Sequence, residues 1–239
     1  MSVQPPIARP STGSRIIAVG SGKGGTGKTT VAAGLGYALA SEHGRAVALV
    51  DFDPQGSLTR FTGQRAVADP LRAEPIEVHG MTLYRGGATL AGVSPAALAA
   101  HLERVATPGR TVVVDLRPML DDPGHAVVLG QPELLLLIVP ELNPEAIPEA
   151  RKLAAMAEAR GVAFRIVGNK EENRRPVKRA LGFLASGFGS AMSTVVIKRG
   201  AAVAEAHERL QPVTAYAPDS PPGLAIRALA AELVEEGVA

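Results

Sequence analysis

A glycine-rich stretch near the start of the chain has the residues and spacing needed to bind phosphate. Residues 20–29 read GSGKGGTGKT, which fits the pattern G-x-x-x-x-G-K-S/T. Its glycines let backbone N–H groups face an anion, and the N-terminus of a following helix adds partial positive charge. Lys28 is expected to reach the β and γ phosphates of ATP, and Thr29 to bind Mg²⁺. The other predicted phosphate-binding residues are Gly24, Gly25, Thr26, Gly27 and Thr30.

Acidic residues end two apolar segments that predict buried strands. Asp51 and Asp53 close the segment AVALVDFD, and Asp115 follows the apolar residues of TVVVDLRP, as in a Walker B strand. Carboxylates at positions i and i+2 of a strand lie on the same side, so Asp51 and Asp53 can both approach one metal ion. The predicted magnesium ligands are therefore Thr29, Asp51 and Asp115.

Short apolar strands alternate with helices on both sides of these residues. This order predicts an α/β fold with a mostly parallel, doubly wound sheet covered by helices on both faces. Ligands bind such sheets beyond the carboxyl ends of the strands, where the glycine-rich loop and the acids fall. Residues 62–80 form a less regular connection. The predicted strands are 15–20, 46–53, 81–87, 111–118, 133–140, 163–170 and 192–198, and the predicted helices are 29–44, 94–106, 143–161, 175–189 and 221–237.

Composition and charge narrow the possible classes of protein. The chain has 239 residues, 46% of them hydrophobic, which is typical of a globular domain. We expect one domain over 15–239, preceded by a flexible leader, 1–14, that is rich in Pro and Ser. The absence of cysteine excludes disulfides, thiolate metal sites and iron–sulfur clusters. The sequence has no apolar run long enough to span a bilayer, and a cytoplasmic location is expected.

The segment KGGTGKT resembles the deviant Walker A motif of the ParA/MinD superfamily of P-loop ATPases. The resemblance runs from about residue 15 to 235 and implies a P-loop NTPase fold. In that family the early lysine, here Lys23, crosses a nucleotide-sandwich homodimer to contact the phosphates bound by the partner subunit. A cation supplied in trans would stabilise the charge of phosphoryl transfer and would make hydrolysis depend on dimerisation. The alternative is a solvated loop lysine.

The segment VDFDPQGS resembles the VDxDPQG motif of the same family. The resemblance implies that Asp53 orients the attacking water and that Asp51 supports the phosphate loop and the magnesium shell. Asp53, Lys23 and Lys28 are thus the predicted catalytic residues, although Asp53 could instead serve the turn before Pro54. The family usually has DxPP after the Walker B strand. Arg117 replaces the first of these prolines, and we expect it to pair with Asp121 or Asp122 or to face a partner.

Two further segments resemble the part of the family that holds adenine. Asn169 of the segment GNK is a candidate adenine contact. Residues 196–220 resemble the pattern IPRxxxLxEAxxxGxPVxxYxPxS, although Lys198 stands where Pro is usual. The backbone of this pattern lies along adenine in relatives. The implied adenine contacts are Pro212, Val213, Pro218 and Asp219.

Basic residues cluster late in the chain, in KEENRRPVKR (170–179) and in the pair Lys198 and Arg199. ParA-type proteins bind DNA without sequence preference through basic residues of this region, and phosphate contacts would make such binding dependent on salt. A solvated basic face is the alternative. Aromatic residues are only 3% of the chain, so base stacking is disfavoured. The predicted DNA contacts are Arg175, Lys178, Arg179, Lys198 and Arg199.

The sequence favours a short, Soj-like ParA branch over other branches. The acidic C-terminal end disfavours a MinD-like membrane helix, and the lack of cysteine excludes iron–sulfur relatives. We expect an ATP- and Mg²⁺-dependent homodimer that binds DNA on the nucleoid and partitions a chromosome or plasmid, with a ParB-like protein stimulating hydrolysis. One alternative is a positioner of a protein cargo, a carboxysome or chemotaxis cluster, which works through a cargo adaptor. Another is a metabolic P-loop phosphotransferase.

Overall fold

A single sheet forms the centre of the computed structural model, which describes residues 15–118, 123–131 and 133–239. The predicted leader, 1–14, lies outside the described residues. The strands are β1 Arg15–Gly20, β2 Ala46–Asp51, β3 Ile76–Val78, β4 Met81–Tyr84, β5 Arg110–Asp115, β6 Leu134–Ile138 and β7 Ala163–Ile166. They form a seven-stranded sheet in the order β3-β4-β2-β5-β1-β6-β7. All neighbouring strands are parallel except β3 and β4, which confirms the predicted α/β fold.

Helices connect the strands and end where local chemistry favours it. Ser94 caps α3 by accepting a hydrogen bond from the Ala97 N–H, and Ser220 caps α9 in the same way through Gly223. Gly44 ends α1 in a left-handed conformation, φ 63°, which glycine adopts without a steric cost. The helices of the described residues are α1 Lys28–His43, α2 Ser57–Phe61, α3 Pro95–Val105, α4 Pro123–Val128, α5 Ala146–Glu158, α6 Arg175–Phe188, α7 Ala201–Glu208, α8 Val213–Tyr216 and α9 Pro221–Glu235.

Apolar side chains bury both faces of the sheet. Alternate residues of β1 show this, because Ile16 and Ala18 join one hydrophobic layer while Ile17 and Val19 join the other. The first layer includes residues of α3, α4 and α5, and the second includes residues of α1 and α9. The continuous apolar runs of β5 and β6 follow from this two-sided burial. The sheet is thus a rigid platform, and its carboxyl edge carries the loops that build the site.

The predicted strand at 192–198 is wrong. Residues at its two ends make single bridges, Ile166 with Met192 and Glu171 with Lys198, and no strand forms between them. Local side-chain bonds compete with the ladder, because the Val195 N–H donates to Ser193 Oγ at 3.0 Å. Ser193 Oγ in turn donates to Glu232 of α9 at 2.7 Å, which ties the segment to the helix. The irregular region 62–80 contains one short element that the sequence did not predict, the antiparallel edge strand β3.

Candidate functional site

The loop between β1 and α1 has the shape of an anion cradle. Gly25 and Gly27 adopt positive φ angles of 75° and 95°, a region that residues with a Cβ atom rarely enter. Inside the loop Ser21 Oγ donates to the Lys23 carbonyl at 2.6 Å, and Thr26 Oγ1 donates to Ser21 Oγ at 2.9 Å. The first turn of α1 begins at Lys28, so its backbone N–H groups lack partners within the helix. The loop and this turn together offer a concentrated set of donors to a phosphate.

Lys28 lies within the site and is almost fully covered, with 7% of its surface exposed. Its Nζ lies 3.4 Å from Ser21 Oγ. Burial lowers the pKa of Lys28, and the neighbouring carboxylates of Asp115 and Asp53 act in the opposite direction. A buried cation whose charge is opposed by desolvation gains most from an anionic ligand, which fits the predicted contact with the β and γ phosphates.

Thr29 and Asp115 form the part of the site that suits magnesium. Thr29 Oγ1 donates to Asp115 Oδ2 at 2.7 Å. The other oxygen, Asp115 Oδ1, is buried and has no hydrogen-bond partner among the described residues. Burial, reinforced by the charge of Asp51, raises the pKa of Asp115 to about 7. A buried carboxylate with an unsatisfied oxygen beside a hydroxyl fits a hard divalent cation, which uses oxygen ligands and keeps phosphate or water ligands as well.

Asp51 has a different environment from Asp115, although the two residues are paired in register. Its Oδ2 accepts hydrogen bonds from Thr59 N at 2.8 Å and from Thr59 Oγ1 at 2.7 Å, and its Oδ1 accepts from the N–H of Asp53 at 3.2 Å. Burial raises the pKa of Asp51 to about 6. These bonds make Asp51 a brace between β2 and α2. Its role as a metal ligand stays a prediction.

Asp53 is half-buried and lines the same cavity as Lys28 and Thr29. Its Oδ1 accepts a hydrogen bond from the Gln55 N–H at 2.9 Å, which is the turn role that the sequence left open. The same carboxylate faces the cavity, so a turn bond and a catalytic role are compatible. The predicted water-orienting role therefore stays a prediction with suitable geometry.

Lys23 does not line the cavity that Lys28 and Thr29 line. Its side chain is 53% exposed, and its Nζ donates to Glu145 Oε2 at 2.6 Å, close to the start of α5. The hydrogen bond and charge of Glu145 raise the pKa of Lys23. Lys23 therefore carries a positive charge on the outer side of the loop.

The cavity beside the loop has a volume of about 710 Å³, in the range of small-molecule sites. Asn169 lines it, and its Nδ2 donates to the Thr26 carbonyl at 2.6 Å, so the residue fastens the phosphate loop to the end of β7. The other predicted adenine contacts do not line this cavity, and Val213 is buried in the core. Their predicted role gains no support from the geometry. The residues that line the cavity include Gly24, Gly25, Gly27, Lys28, Thr29, Thr30, Asp53, Ser57, Arg60, Phe61, Pro118, Asn169, Lys170, Lys198, Arg199, Val203, His207 and Leu210.

Several cavity residues had no motif that predicted them. Arg60 and Phe61 come from α2, and His207 comes from α7. The Phe61 and His207 rings meet edge to face, with centroids 3.9 Å apart. Lys170 Nζ bridges the Gly25 carbonyl at 2.5 Å and Glu141 at 3.1 Å. These residues come from distant segments, so no local pattern could have grouped them.

The predicted DNA contacts fall into two groups. Arg175, Lys178 and Arg179 lie exposed on the first half of α6. Lys198 and Arg199 instead line the cavity beside the phosphate loop. Arg199 is paired with Glu141 at 3.2 Å and also with Glu172, so its charge is largely compensated. The geometry therefore favours α6 as the exposed basic surface.

Two other expectations concern Arg117 and the absence of a membrane-spanning segment. Asp121 and Asp122, the proposed partners of Arg117, lie outside the described residues. Among the helices that the structure describes, none has the length and apolar character to cross a membrane.

Comparison with known proteins identifies the family. Residues 17–213 match the model of the CobQ/CobB/MinD/ParA nucleotide binding domain. The chromosome-partitioning ATPase Soj of Thermus thermophilus is 33% identical over 92% of this chain and 95% of its own length. The maintenance of carboxysome distribution protein A of Gloeobacter kilaueensis is 30% identical over 62% of this chain and 73% of its own.

A solved structure gives the same result for the fold. The septum site-determining protein MinD of Pyrococcus horikoshii, in complex with Mg-ADP, superposes with a TM-score of 0.75 over 92% of this chain and 95% of its own, at 22% identity. Such a likeness shows a shared fold, while the family match and the Soj relative show common descent. The chain therefore belongs to the CobQ/CobB/MinD/ParA family of nucleotide-binding domains.

Proposed function

We propose that this protein is an ATPase that dimerises on ATP and hydrolyses it to partition or position a cargo on DNA. The observation that carries the proposal is the division of labour between two lysines of one loop. Lys28 lies within the cavity, whereas Lys23 is exposed outside it. A cation outside its own cavity is available to the nucleotide of a second subunit.

The residues of the cavity divide the work of phosphoryl transfer. Thr29 and Asp115 would hold Mg²⁺, which supplies charge to the phosphate oxygens when bound. Lys28 and the N–H groups of the loop bind the phosphates. Asp53 faces the cavity from the start of the segment that leads into α2, where it would orient the attacking water. Lys23 of the partner would complete the charge on the transferred group.

The cargo is proposed from the relatives and from the charge of α6. A chromosome-partitioning ATPase among the relatives supports DNA segregation as the function. The exposed cations of α6, Arg175, Lys178 and Arg179, would contact DNA phosphates without reading sequence, and so place the protein on the nucleoid in the cytoplasm. A ParB-like protein would then stimulate hydrolysis and release the dimer.

A second function is positioning of a protein cargo through an adaptor. The carboxysome-distribution relative supports it, and the chemistry of the site would be the same. The two functions differ in the partner alone. The partner captured by the ATP-bound dimer distinguishes them, because a DNA-bound ParB-like protein supports segregation and a cargo adaptor supports positioning.

The test uses Asp53→Ala, which should bind ATP and Mg²⁺ but not hydrolyse it. Light scattering should show a stable dimer with ATP and a monomer with ADP, and a mobility assay should show DNA retained by the ATP form alone. Normal turnover by this variant would remove Asp53 from the proposed role.

A charge-reversed variant tests whether the exposed basic face of α6 binds DNA. Changing Arg175, Lys178 and Arg179 to Glu should abolish DNA retention and leave dimerisation intact. The matched control reverses three exposed arginines elsewhere, Arg45, Arg72 and Arg160, and should retain DNA. Full retention by the α6 variant would exclude this helix as the DNA surface.

A further inference from the structure

Three side chains from separate elements meet on the cavity wall next to the phosphate loop. His207 Nε2 lies 3.3 Å from Thr30 Oγ1, and its ring packs edge to face on Phe61 with centroids 3.9 Å apart. Thr30 belongs to the first turn of α1, Phe61 ends α2 and His207 lies in the last turn of α7. No motif in the sequence assigns a role to His207 or to Phe61. Their meeting is a property of the fold.

The position of Thr30 relates this group to a bound nucleotide. Lys28 reaches toward the β and γ phosphates in a loop of this kind, and the N–H groups of the first helical turn bind phosphate oxygens. Thr30 lies in that same turn. His207 reaches the Thr30 hydroxyl and lines the same cavity, so it borders the ligand beside the phosphates. In a nucleotide the group next to the phosphates is the nucleoside.

At the same wall, the segment after α2 lies close to the segment after α7. A Cβ atom on Gly63, just after α2, would lie 3.5 Å from Leu210 Cβ. Leu210 has a φ of 56°, a left-handed backbone that an apolar residue with a Cβ atom rarely adopts, and its side chain is exposed while lining the cavity. Such unfavourable backbone conformations occur preferentially at ligand sites. Arg60, also exposed on α2, lines the same cavity.

We propose that His207, supported by the edge of Phe61, contacts the nucleoside part of the nucleotide bound in this cavity. The ligand class is a purine ribonucleotide, and the contact is a hydrogen bond between the imidazole and a ribose hydroxyl. The inference rests on the proposed function only in taking a nucleotide as the ligand. It assigns His207 to the sugar side of the site, in contrast to Lys28 and Thr29 on the phosphate side.

The chemistry of His207 suits a hydroxyl partner. Partial burial lowers the pKa of its ring, which favours the neutral imidazole, and a neutral ring can accept a hydrogen bond at one nitrogen and donate at the other. A neutral ring would add little to phosphate binding, which depends on charge. The contact should therefore distinguish ADP from pyrophosphate, which has the same phosphates without the nucleoside.

The test measures binding of ADP and of pyrophosphate, each with Mg²⁺, by calorimetry on the full chain. His207→Ala should weaken ADP binding about tenfold, as expected for the loss of one hydrogen bond with its packing, and leave pyrophosphate binding within about twofold. His207→Gln keeps a hydrogen-bonding group and should recover part of the loss. Glu208→Ala is the control, because Glu208 is exposed on the same helix and does not line the cavity.

Each other outcome overturns the proposal. Unchanged ADP binding by a folded His207→Ala protein would show that the ring does not contact the nucleoside. Equal losses for ADP and pyrophosphate would show that His207 acts only through Thr30 on the phosphate loop. ADP is used so that the result does not depend on ATP-driven dimerisation, and a failure of the DNA-positioning function would leave this measurement standing.

Discussion

The two lysines of the phosphate loop stand in opposite environments although only five positions separate them. Lys28 is 7% exposed and lies among the predicted phosphate-binding groups, and burial lowers its pKa. Lys23 is on the outer side of the loop, more than half exposed, and its pairing with Glu145 raises its pKa. One loop thus places Lys28 in the cavity and Lys23 on the surface. The comparison predicts that the two residues fail in different assays.

Loss of Lys23 should give the largest effect, and it should appear in turnover. If Lys23 supplies charge to the phosphoryl group of a partner subunit, Lys23→Ala should lower ATP hydrolysis by about 10³, the lower end for a cation supplied in trans. It should also keep the protein monomeric with ATP, as judged by light scattering. ADP binding should not change, because Lys23 does not line the cavity. Lys152→Ala, which removes another exposed and paired lysine, is the control. An unchanged ATP dimer would exclude the role in trans.

Loss of Lys28 should act on binding instead. Lys28→Ala should weaken ADP binding about 100-fold, because a charge-assisted contact to phosphate is lost from a covered site. The free energy of unfolding without ligand should fall little, since desolvation of the buried cation offsets its attraction to Asp115 and Asp53. Calorimetry and thermal unfolding measure the two quantities. A Lys28→Ala protein that binds ADP normally would remove the contrast between the lysines.

The position of Lys28 among its neighbours could be predicted from the sequence, whereas the environment of Lys23 could not. Lys28, Thr29 and Asp115 follow apolar strands, and long apolar runs specify buried parallel strands whose carboxyl ends meet at one edge. The sheet therefore brings these three residues together independently of the conformation of the loops. The partner of Lys23 is Glu145, 122 residues away, at the N-terminal end of α5. Nothing local encodes such a contact.

Tertiary contacts also account for the predictions that were wrong or incomplete. The apolar residues of 192–198 have strand propensity, but the segment pairs with β7 and the residues after it only through two single bridges, and local bonds of Ser193 interrupt a continuous ladder. His207 of α7 reaches Thr30 of α1 across 177 residues and packs on Phe61 of α2, and the sequence did not predict α2 or α7. Local patterns predict elements. The packing of short helices, which decides the nucleoside side of the cavity, depends on tertiary contacts.

The buried carboxyl group of Asp115, at the end of β5, should also make the stability of the protein depend on pH. Burial raises the pKa of Asp115 to about 7, above the value of about 3.8 in an unfolded chain. Between these values the folded protein holds a proton that the unfolded chain has released, so stability falls as pH rises and the loss is complete above about pH 7. Relative to Asp115→Asn, the Tm of the wild type should fall by about 5 °C from pH 5 to pH 7.5.

Two measurements bear on the cause of that fall. ADP with Mg²⁺ should reduce it in the wild type, since the cation would favour the ionised carboxylate. Using the difference between the two proteins removes the contribution of other groups, such as His101, whose pKa burial lowers to about 4. A difference in Tm that stays constant with pH would show that Asp115 ionises normally in the free protein.

The smallest effect is expected for Glu145, the ion-pair partner of Lys23. An exposed ion pair is weak, because water and salt screen it, so Glu145 holds Lys23 only loosely. Glu145→Gln should leave the Tm unchanged yet strengthen the ATP dimer about two- to fivefold, since Lys23 no longer has to leave a counter-ion in its own chain. The gain should shrink as salt rises, and Glu158→Gln, an exposed change on the same helix, should have none. Equal dimer affinities for Glu145→Gln and the wild type at low salt would mean that Glu145 does not compete for Lys23. The contrast between the lysines would then rest on exposure alone.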